Sequence, residues 1–305
     1  MTVLVLALDA LDEGLVDRFD LDAFRLESSG SLETYAHTKE VPYTPEVWAT
    51  VATGLGPKDH GISTAGTSEW DNPALEFASR FTGHLSEGTR GTLGKVVRSR
   101  TGERARIGET DRESMFDADD AVVHNWPGVH DGGPLQRAWD LMNAVSEGMG
   151  RSEFECELFG QSAGQFGWAR EMLNHPVSIA GVHVHALDAA GHAYAADEDA
   201  LRRAYERIGS FVDEVVDALG PDDELLLLSD HGMRTAFYPP DAGEDPASHS
   251  WRAYASATGD SRPESVYDVR EWVESRAATA TATADGADDG IEMPTERLRE
   301  LGYLE

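Results

Sequence analysis

Four acidic or imidazole side chains close three apolar runs in this chain. Asp9 follows Val3 to Leu8, Asp188 follows Val177 to Leu187, and Asp230 with His231 follows Leu225 to Leu228 and Ser229. In open α/β sheets ligands collect beyond the carboxyl ends of the strands, so these side chains are expected along one edge. A single aspartate after a strand commonly does no more than turn the chain or cap a helix. Four such groups after three separate strands are more than turn formation requires. In Asp188-Ala189-Ala190-Gly191-His192 a carboxylate and an imidazole stand four apart, with a glycine permitting a tight turn, and can share one cation. Asp230 and His231 are adjacent; at a strand end they can flank one ion or serve one each of two neighbouring ions. Carboxylates with imidazoles and no cysteine suit zinc, manganese or iron better than magnesium alone.

Thr44 is the candidate nucleophile. It opens Thr44-Pro45-Glu46-Val47-Trp48, which reads as an N-cap followed by proline at the first position of a helix running to about Thr53. Capping alone accounts for such a threonine. The same geometry also sets a hydroxyl beside free backbone N–H groups and the positive end of a helix dipole, which is a phosphate site. A neighbouring divalent ion would supply the deprotonation that a threonine needs near neutral pH.

The elements that must position these groups follow from periodicity. Short apolar runs alternate with helical patterns, which predicts an α/β fold with a mostly parallel central sheet flanked by helices. Strands are expected at 3–8, 121–123, 177–187 and 225–228. Helices are expected at 134–148, 153–174 and 264–276, and between the acidic Asp197-Glu198-Asp199 and Gly220-Pro221, where Leu201, Tyr205, Ile208, Val212 and Val215 recur at helical spacing. Residues 62–118, polar and weakly periodic, read as a small insertion or cap within a catalytic domain spanning 1–276. The Ala/Thr/Asp/Gly tract 277–290 reads as a flexible linker, and 291–305 as a short segment docking back.

Composition narrows the function classes. Fifty-six acidic against 25 basic residues give a formal charge of −31. Such a field repels nucleic-acid backbones and anionic membranes, so neither is an expected partner. The only lysines are Lys39, Lys58 and Lys95. Acid excess with scarce lysine suggests a halophile protein, because a Debye length of roughly 3 Å in molar salt screens the self-repulsion. Cys156 is the single cysteine, which forbids an internal disulfide or a multi-cysteine metal site. No apolar run approaches the roughly 20 residues of a membrane span, and the N-terminus does not read as a signal peptide, so a cytoplasmic protein is expected.

Asp9, the Thr44 segment, Thr53-Gly54-Leu55-Gly56-Pro57-Lys58-Asp59-His60-Gly61-Ile62, Asp188 to His192, Asp230-His231-Gly232-Met233 and His249 together resemble the alkaline phosphatase superfamily. The resemblance is strongest to its type I phosphodiesterase/nucleotide pyrophosphatase branch and spans about residues 3–255. It implies an alkaline phosphatase-like sandwich and two divalent ions, zinc first, with manganese or iron as alternatives. One ion would be held by Asp9, Thr44, Asp230 and His231, and the other by Asp188, His192 and His249. His60 would be structural, and His183 and His185 would lie in the core or behind the ligands. The implied activity is hydrolysis of a small-molecule phosphate ester, possibly nucleotide-like, through a phosphothreonine on Thr44.

Within the superfamily, phosphomonoesterase, phosphonate and sulfate ester hydrolysis are the alternatives. No Arg or Lys directly follows Thr44, which leans towards diesters. Sulfatases of this type carry a modified cysteine or serine where Thr44 stands. From another class, a catalytically inactive metal-binding module shares the ligand set and would bind ions without turnover.

Overall fold

The computed structural model describes residues 1–63, 68–69, 106–130, 133–280 and 295–300. The chain begins with strand β1 (Val3–Leu8), helix α1 (Glu13–Phe19) and strand β2 (Ser28–Ser31), then helices α2 (Thr44–Thr53) and α3 (Pro57–His60). Two short strands, β3 (Ser68–Glu69) and β4 (Arg106–Ile107), pair antiparallel. There follow β5 (Ala121–His124), α4 (Gly133–Ser146), α5 (Arg151–Met172), β6 (Ile179–Val184), α6 (Ala186–Tyr194), α7 (Glu198–Val216) and β7 (Glu224–Leu228). The hairpin β8 (Gly232–Met233) and β9 (His249–Ser250), strand β10 (Tyr254–Ala257), and helices α8 (Val269–Ala280) and α9 (Thr295–Glu300) complete the described chain.

Six strands form one sheet in the order β2-β10-β7-β1-β6-β5. β1 lies at its centre, parallel to both β6 and β7, with Val3 opposite Ile179 on one side and Glu224 on the other. Every residue of β1 is buried, as a continuous apolar run predicts for a strand covered on both faces. Its alternation sorts two cores. Leu4, Leu6 and Leu8 face the layer containing Leu15, Phe154, Leu158, Leu201, Tyr205, Ile208 and Val212. Val3, Val5 and Ala7 face the opposite layer with Val47, Trp48, Val51, Val269 and Val273. The molecule is thus a helix–sheet–helix sandwich, mostly parallel, as the sequence predicts.

Several boundaries differ from expectation. The 177–187 strand stops at Val184, and α6 begins at Ala186. β2 and β10, which close one edge antiparallel, have no sequence signature: Ser28-Ser29-Gly30-Ser31 carries no apolar alternation. Met115 and Phe116, inside the expected 62–118 insertion, are buried in the core beside Trp126. Most of that insertion, 64–67 and 70–105, lies outside the described residues. α8 runs four residues into the expected 277–290 linker, whose remainder is also outside them, as is most of the 291–305 segment. Among the described residues no helix is long and apolar enough to cross a membrane.

Candidate active site

The carboxyl ends of β1, β6 and β7 deliver the expected side chains to one place. Asp9 leaves β1, and Asp230 and His231 leave β7; all three are fully buried. Thr44 is not the N-cap that its sequence suggests. Tyr43 occupies that position and Thr44 is the first helical residue, with Pro45 next. Its hydroxyl is therefore not spent on the helix end. Thr44 Oγ1 lies 3.2 Å from His231 Nε2 and 3.5 Å from Asp9 Oδ1. His231 Nε2 is 3.3 Å from both Asp9 Oδ1 and Asp230 Oδ2.

These spacings test whether a cation fits. Donors about 2.0–2.2 Å from a tetrahedral ion are separated by about 3.3–3.6 Å. The four donor–donor distances above, 3.2–3.5 Å, lie at about that spacing. Buried Asp230 Oδ2 has no hydrogen-bond partner, which is costly unless a cation satisfies it. His231 Nδ1 lies 3.0 Å from the Gly232 carbonyl and donates to it, so Nε2 carries the lone pair that faces the group.

A second set stands beside it. Asp188 occupies the first turn of α6 rather than a strand end, so Asp188 and His192 meet as an i, i+4 pair on one helix face. His192 Nε2 and His249 Nε2 lie 3.3 Å and 3.5 Å from Asp188 Oδ1, which is buried and has no hydrogen-bond partner. His249 Nδ1 donates to the Pro42 carbonyl at 2.8 Å, again turning Nε2 towards the ligands. The two sets adjoin: the His231 and His249 rings stack with centroids 3.6 Å apart. Three donors leave one position of a tetrahedral ion open, as catalytic zinc sites do. Gly191 within this helix lets β8 approach; a Cβ there would lie 2.8 Å from Met233 Cγ.

Two histidines beyond the expected ligands also reach this centre. His183 Nε2 lies 3.2 Å from Asp9 Oδ2. His185 Nδ1 lies 2.5 Å from the same oxygen, and its Nε2 is 3.0 Å from Asp188 Oδ2. Strand parity places both histidines opposite Asp188, but parity lapses where α6 begins, and His185 becomes the residue before that helix. Asn125, in a left-handed backbone conformation at the end of β5, donates to the His183 carbonyl at 2.9 Å.

Electrostatics follow the packing. Burial pushes the Asp9 carboxyl up, but His185 and His183 more than offset this and hold it well below the usual range. Burial and then the neighbouring Asp9 raise Asp230 far above that range. For Asp188 burial is outweighed by His192 and His185, and its carboxyl is lowered. His231, buried and beside His249, is pushed down to about 3. Burial would lower His185, yet Asp9 and Asp188 bring it up to about 10. This crowd of buried carboxylates and imidazoles suits a divalent cation.

Supporting contacts fix the loops. Arg252 clamps Asp12 through Nε at 2.9 Å and Asp241 through Nη1 at 2.7 Å, and donates to the Met233 carbonyl. Asp12 in turn accepts from Leu15 N, Met233 N and Ser250 Oγ, tying α1 to the β8–β9 hairpin that carries His249. A Cβ on Gly232 would lie 2.2 Å from Asp12 Oδ2, so only glycine fits there.

His60 lies away from the ligands. Its Nδ1 accepts from Ile62 N at 3.1 Å and its Nε2 faces Thr50 Oγ1 at 3.1 Å. Burial lowers it to about 4. A histidine lowered on folding contributes stability that is fully present above its unfolded value near 6.5 and is lost as pH falls through about 4. Denaturant melts between pH 7 and 4 are expected to lose up to about 3 kcal/mol through this group. A His60→Gln variant is expected to show a correspondingly flatter pH dependence.

A family model for type I phosphodiesterase / nucleotide pyrophosphatase matches residues 3–251. The chain belongs to the type I phosphodiesterase / nucleotide pyrophosphatase family. Like the members of that family it is a hydrolase of phosphoric ester bonds. Solved structures similar to it include alkaline phosphatase from the Antarctic bacterium TAB5, 10% identical with a TM-score of 0.47 over 91% of this chain and 98% of that one. A variant of that phosphatase holds Mg. A protein from Pyrococcus horikoshii is 9% identical with a TM-score of 0.44, covering 95% of this chain and 98% of its own. Murine ectonucleotide pyrophosphatase / phosphodiesterase 5 is 15% identical with a TM-score of 0.34, covering 77% of this chain and 58% of the murine one. No curated protein matches this member of the family in sequence.

Proposed function

We propose that this family member hydrolyses small phosphodiesters, nucleotide-like ones included, through a covalent ester on Thr44 with two divalent ions bound. Zinc is the first expectation, with manganese or iron as alternatives. The observation that carries the reading is the place of Thr44 Oγ1 in a four-donor set with Asp9, Asp230 and His231, beside the three-donor set of Asp188, His192 and His249. When bound, the ions would lower the pKa of the threonine hydroxyl and stabilise charge on the attacking and departing oxygens.

The chain's own groups then do the following. Asp9, Asp230 and His231 orient Thr44 Oγ1, which gives up its proton to solvent and forms the new P–O bond while the bond to the leaving oxygen breaks; the departing alkoxide takes up a proton from water. Glu46 N and Val47 N are both occupied by the Tyr43 carbonyl, and Pro45 has no N–H. Thr44 N–H, without a partner among the described residues, is left as the backbone donor for a non-bridging oxygen. Water subsequently breaks the Thr44–phosphorus bond, releasing the monoester and returning a proton to Oγ1. Two displacements give net retention at phosphorus.

The diester reading has support from charge. Among the described residues no lysine or arginine pairs with Asp9, Thr44, Asp188 or Asp230, whereas a dianionic monoester favours a further cationic clamp. Arg112, within the expected 62–118 insertion, is engaged at the Asp59 carbonyl. Bis-p-nitrophenyl phosphate is expected to be turned over faster than p-nitrophenyl phosphate in protein loaded with zinc or manganese, with chelation abolishing both activities. A faster monoester makes the protein a phosphatase instead. Ion binding with no hydrolysis of either ester brings forward phosphonate or sulfate ester hydrolysis and the inactive binding module.

Halophilic character belongs to the same proposal. Arg25 alone is surrounded by Asp17, Asp20 and Asp22, all largely exposed. With a net charge of −31 the fold is expected to melt on dialysis from multimolar KCl into dilute buffer, and circular dichroism follows this directly. A melting temperature independent of salt contradicts it.

A further inference from the structure

Among the described residues, His185 is the one side chain that touches a carboxylate of each ligand set. Its Nδ1 is 2.5 Å from Asp9 Oδ2 and its Nε2 is 3.0 Å from Asp188 Oδ2. In both carboxylates the contacted atom is Oδ2, while Oδ1 faces the other ligands: Thr44 and His231 around Asp9, His192 and His249 around Asp188. The Asp9 contact is too short for His185 Nδ1 and Asp9 Oδ2 to be neighbouring donors on a third ion, whose edges would be about 3.3 Å. It is a short hydrogen bond from Nδ1 to that oxygen. The Asp188 contact, at 3.0 Å, is close enough for Nε2 to brace that carboxylate. His183, by comparison, reaches Asp9 alone among the carboxylates.

We infer that His185 is a positioning residue that joins the two ion sites, holding Asp9 and Asp188 in fixed relation so that both ions bind at once. The inference rests on the two-ion reading above. The sequence permits the placement because His185 is the junction between β6 and α6: one residue earlier lies in the strand beside β1, and three later lies in the first turn of α6. Groups that orient a ligand in this way typically change metal affinity 10- to 100-fold when removed.

The test reads metal binding rather than turnover. Chelator-buffered Zn²⁺ is titrated into metal-free protein in the salt that keeps it folded, with the melting temperature of each metal-free variant recorded. Asp188→Asn leaves only the Asp9-side ion to be read, and Asp230→Asn only the Asp188-side ion. Adding His185→Ala to each background is expected to weaken the remaining ion by about 10- to 100-fold. His183→Ala is expected to weaken only the Asp9-side ion. Two conservative variants separate positioning from packing. Asn places an amide N–H near the Nδ1 position and Gln near Nε2, so His185→Asn is expected to spare the Asp9-side ion and His185→Gln the Asp188-side ion. Weakening of one ion only by His185→Ala, of neither, or of both equally by Asn and Gln overturns the inference. A wild type that does not bind two ions overturns the two-ion reading itself, which is a separate result.

Discussion

Thr44→Ala is expected to remove turnover of bis-p-nitrophenyl phosphate almost entirely, by about 10⁴-fold or more, the scale on which losing a nucleophile from a catalytic unit is felt. Asp9, Asp230 and His231 remain as ligands in the variant, so ion binding weakens but persists at both sites. Folding is hardly affected, because the hydroxyl caps nothing: Tyr43 supplies the first helical carbonyl and Pro45 presets the backbone. Thr44→Ser restores a primary hydroxyl at the same place and is expected to recover a measurable part of the rate. The comparison is made by steady-state hydrolysis with metal content measured on the same samples. Full activity in folded, metal-loaded Thr44→Ala would remove the threonine from the mechanism.

The largest expected loss of stability lies at Arg252. Its guanidinium pairs with Asp12 and Asp241, both buried, and donates to the Met233 carbonyl. Burial raises the Asp12 carboxyl, and Arg252 opposes that. Arg252→Ala strands two buried carboxylates, a change that typically costs about 3–5 kcal/mol. Arg252→Lys does not rescue it, since a point charge cannot replace a fork that reaches two carboxylates and a carbonyl. The hairpin bearing His249 hangs on Asp12 through Met233 N and Ser250 Oγ, so the Asp188-side ion is expected to weaken in the same variant. Denaturant midpoints and zinc titrations read the two effects separately. A variant as stable as the wild type would show that the clamp is dispensable.

Much of this centre was legible in the sequence, for a physical reason. A strand buried on both faces must be apolar throughout, so the polar residue that ends it stands out; Asp9 and Asp230-His231 are visible in this way. Asp188 and His192 were legible as a pair through their spacing, although the turn imagined around Gly191 is a helix, and the glycine serves the approach of Met233 instead. His249 sits on a two-residue strand and carries no pattern of its own; only the resemblance pointed to it. Thr44 was legible by type and setting, but not the one-residue shift of the helix start that frees its hydroxyl.

What stayed hidden depends on contacts between distant segments. Arg252 meets Asp12 across 240 residues, and no local pattern encodes that pairing. His183 and His185 were visible as interruptions of an apolar strand, yet their reach to Asp9 needs the parallel register of β1 with β6, in which Ala7 faces His183. Strands β2 and β10, at one side of the sheet, are built mostly from serine, glycine and alanine, whose small side chains leave no periodic signal. The register of the central strands makes the site, and it becomes readable only once the sheet is assembled.

The most direct test is to find the atom that carries the phosphoryl group. Metal-loaded protein is mixed with bis-p-nitrophenyl phosphate, quenched in acid within the first turnover, digested and analysed by mass spectrometry. The expected result is a phosphoryl ester on the peptide containing Thr44, localised to that residue, present in wild type and absent in Thr44→Ala. An adduct on a different residue, or single-turnover product formed at the wild-type rate by Thr44→Ala, would contradict the account.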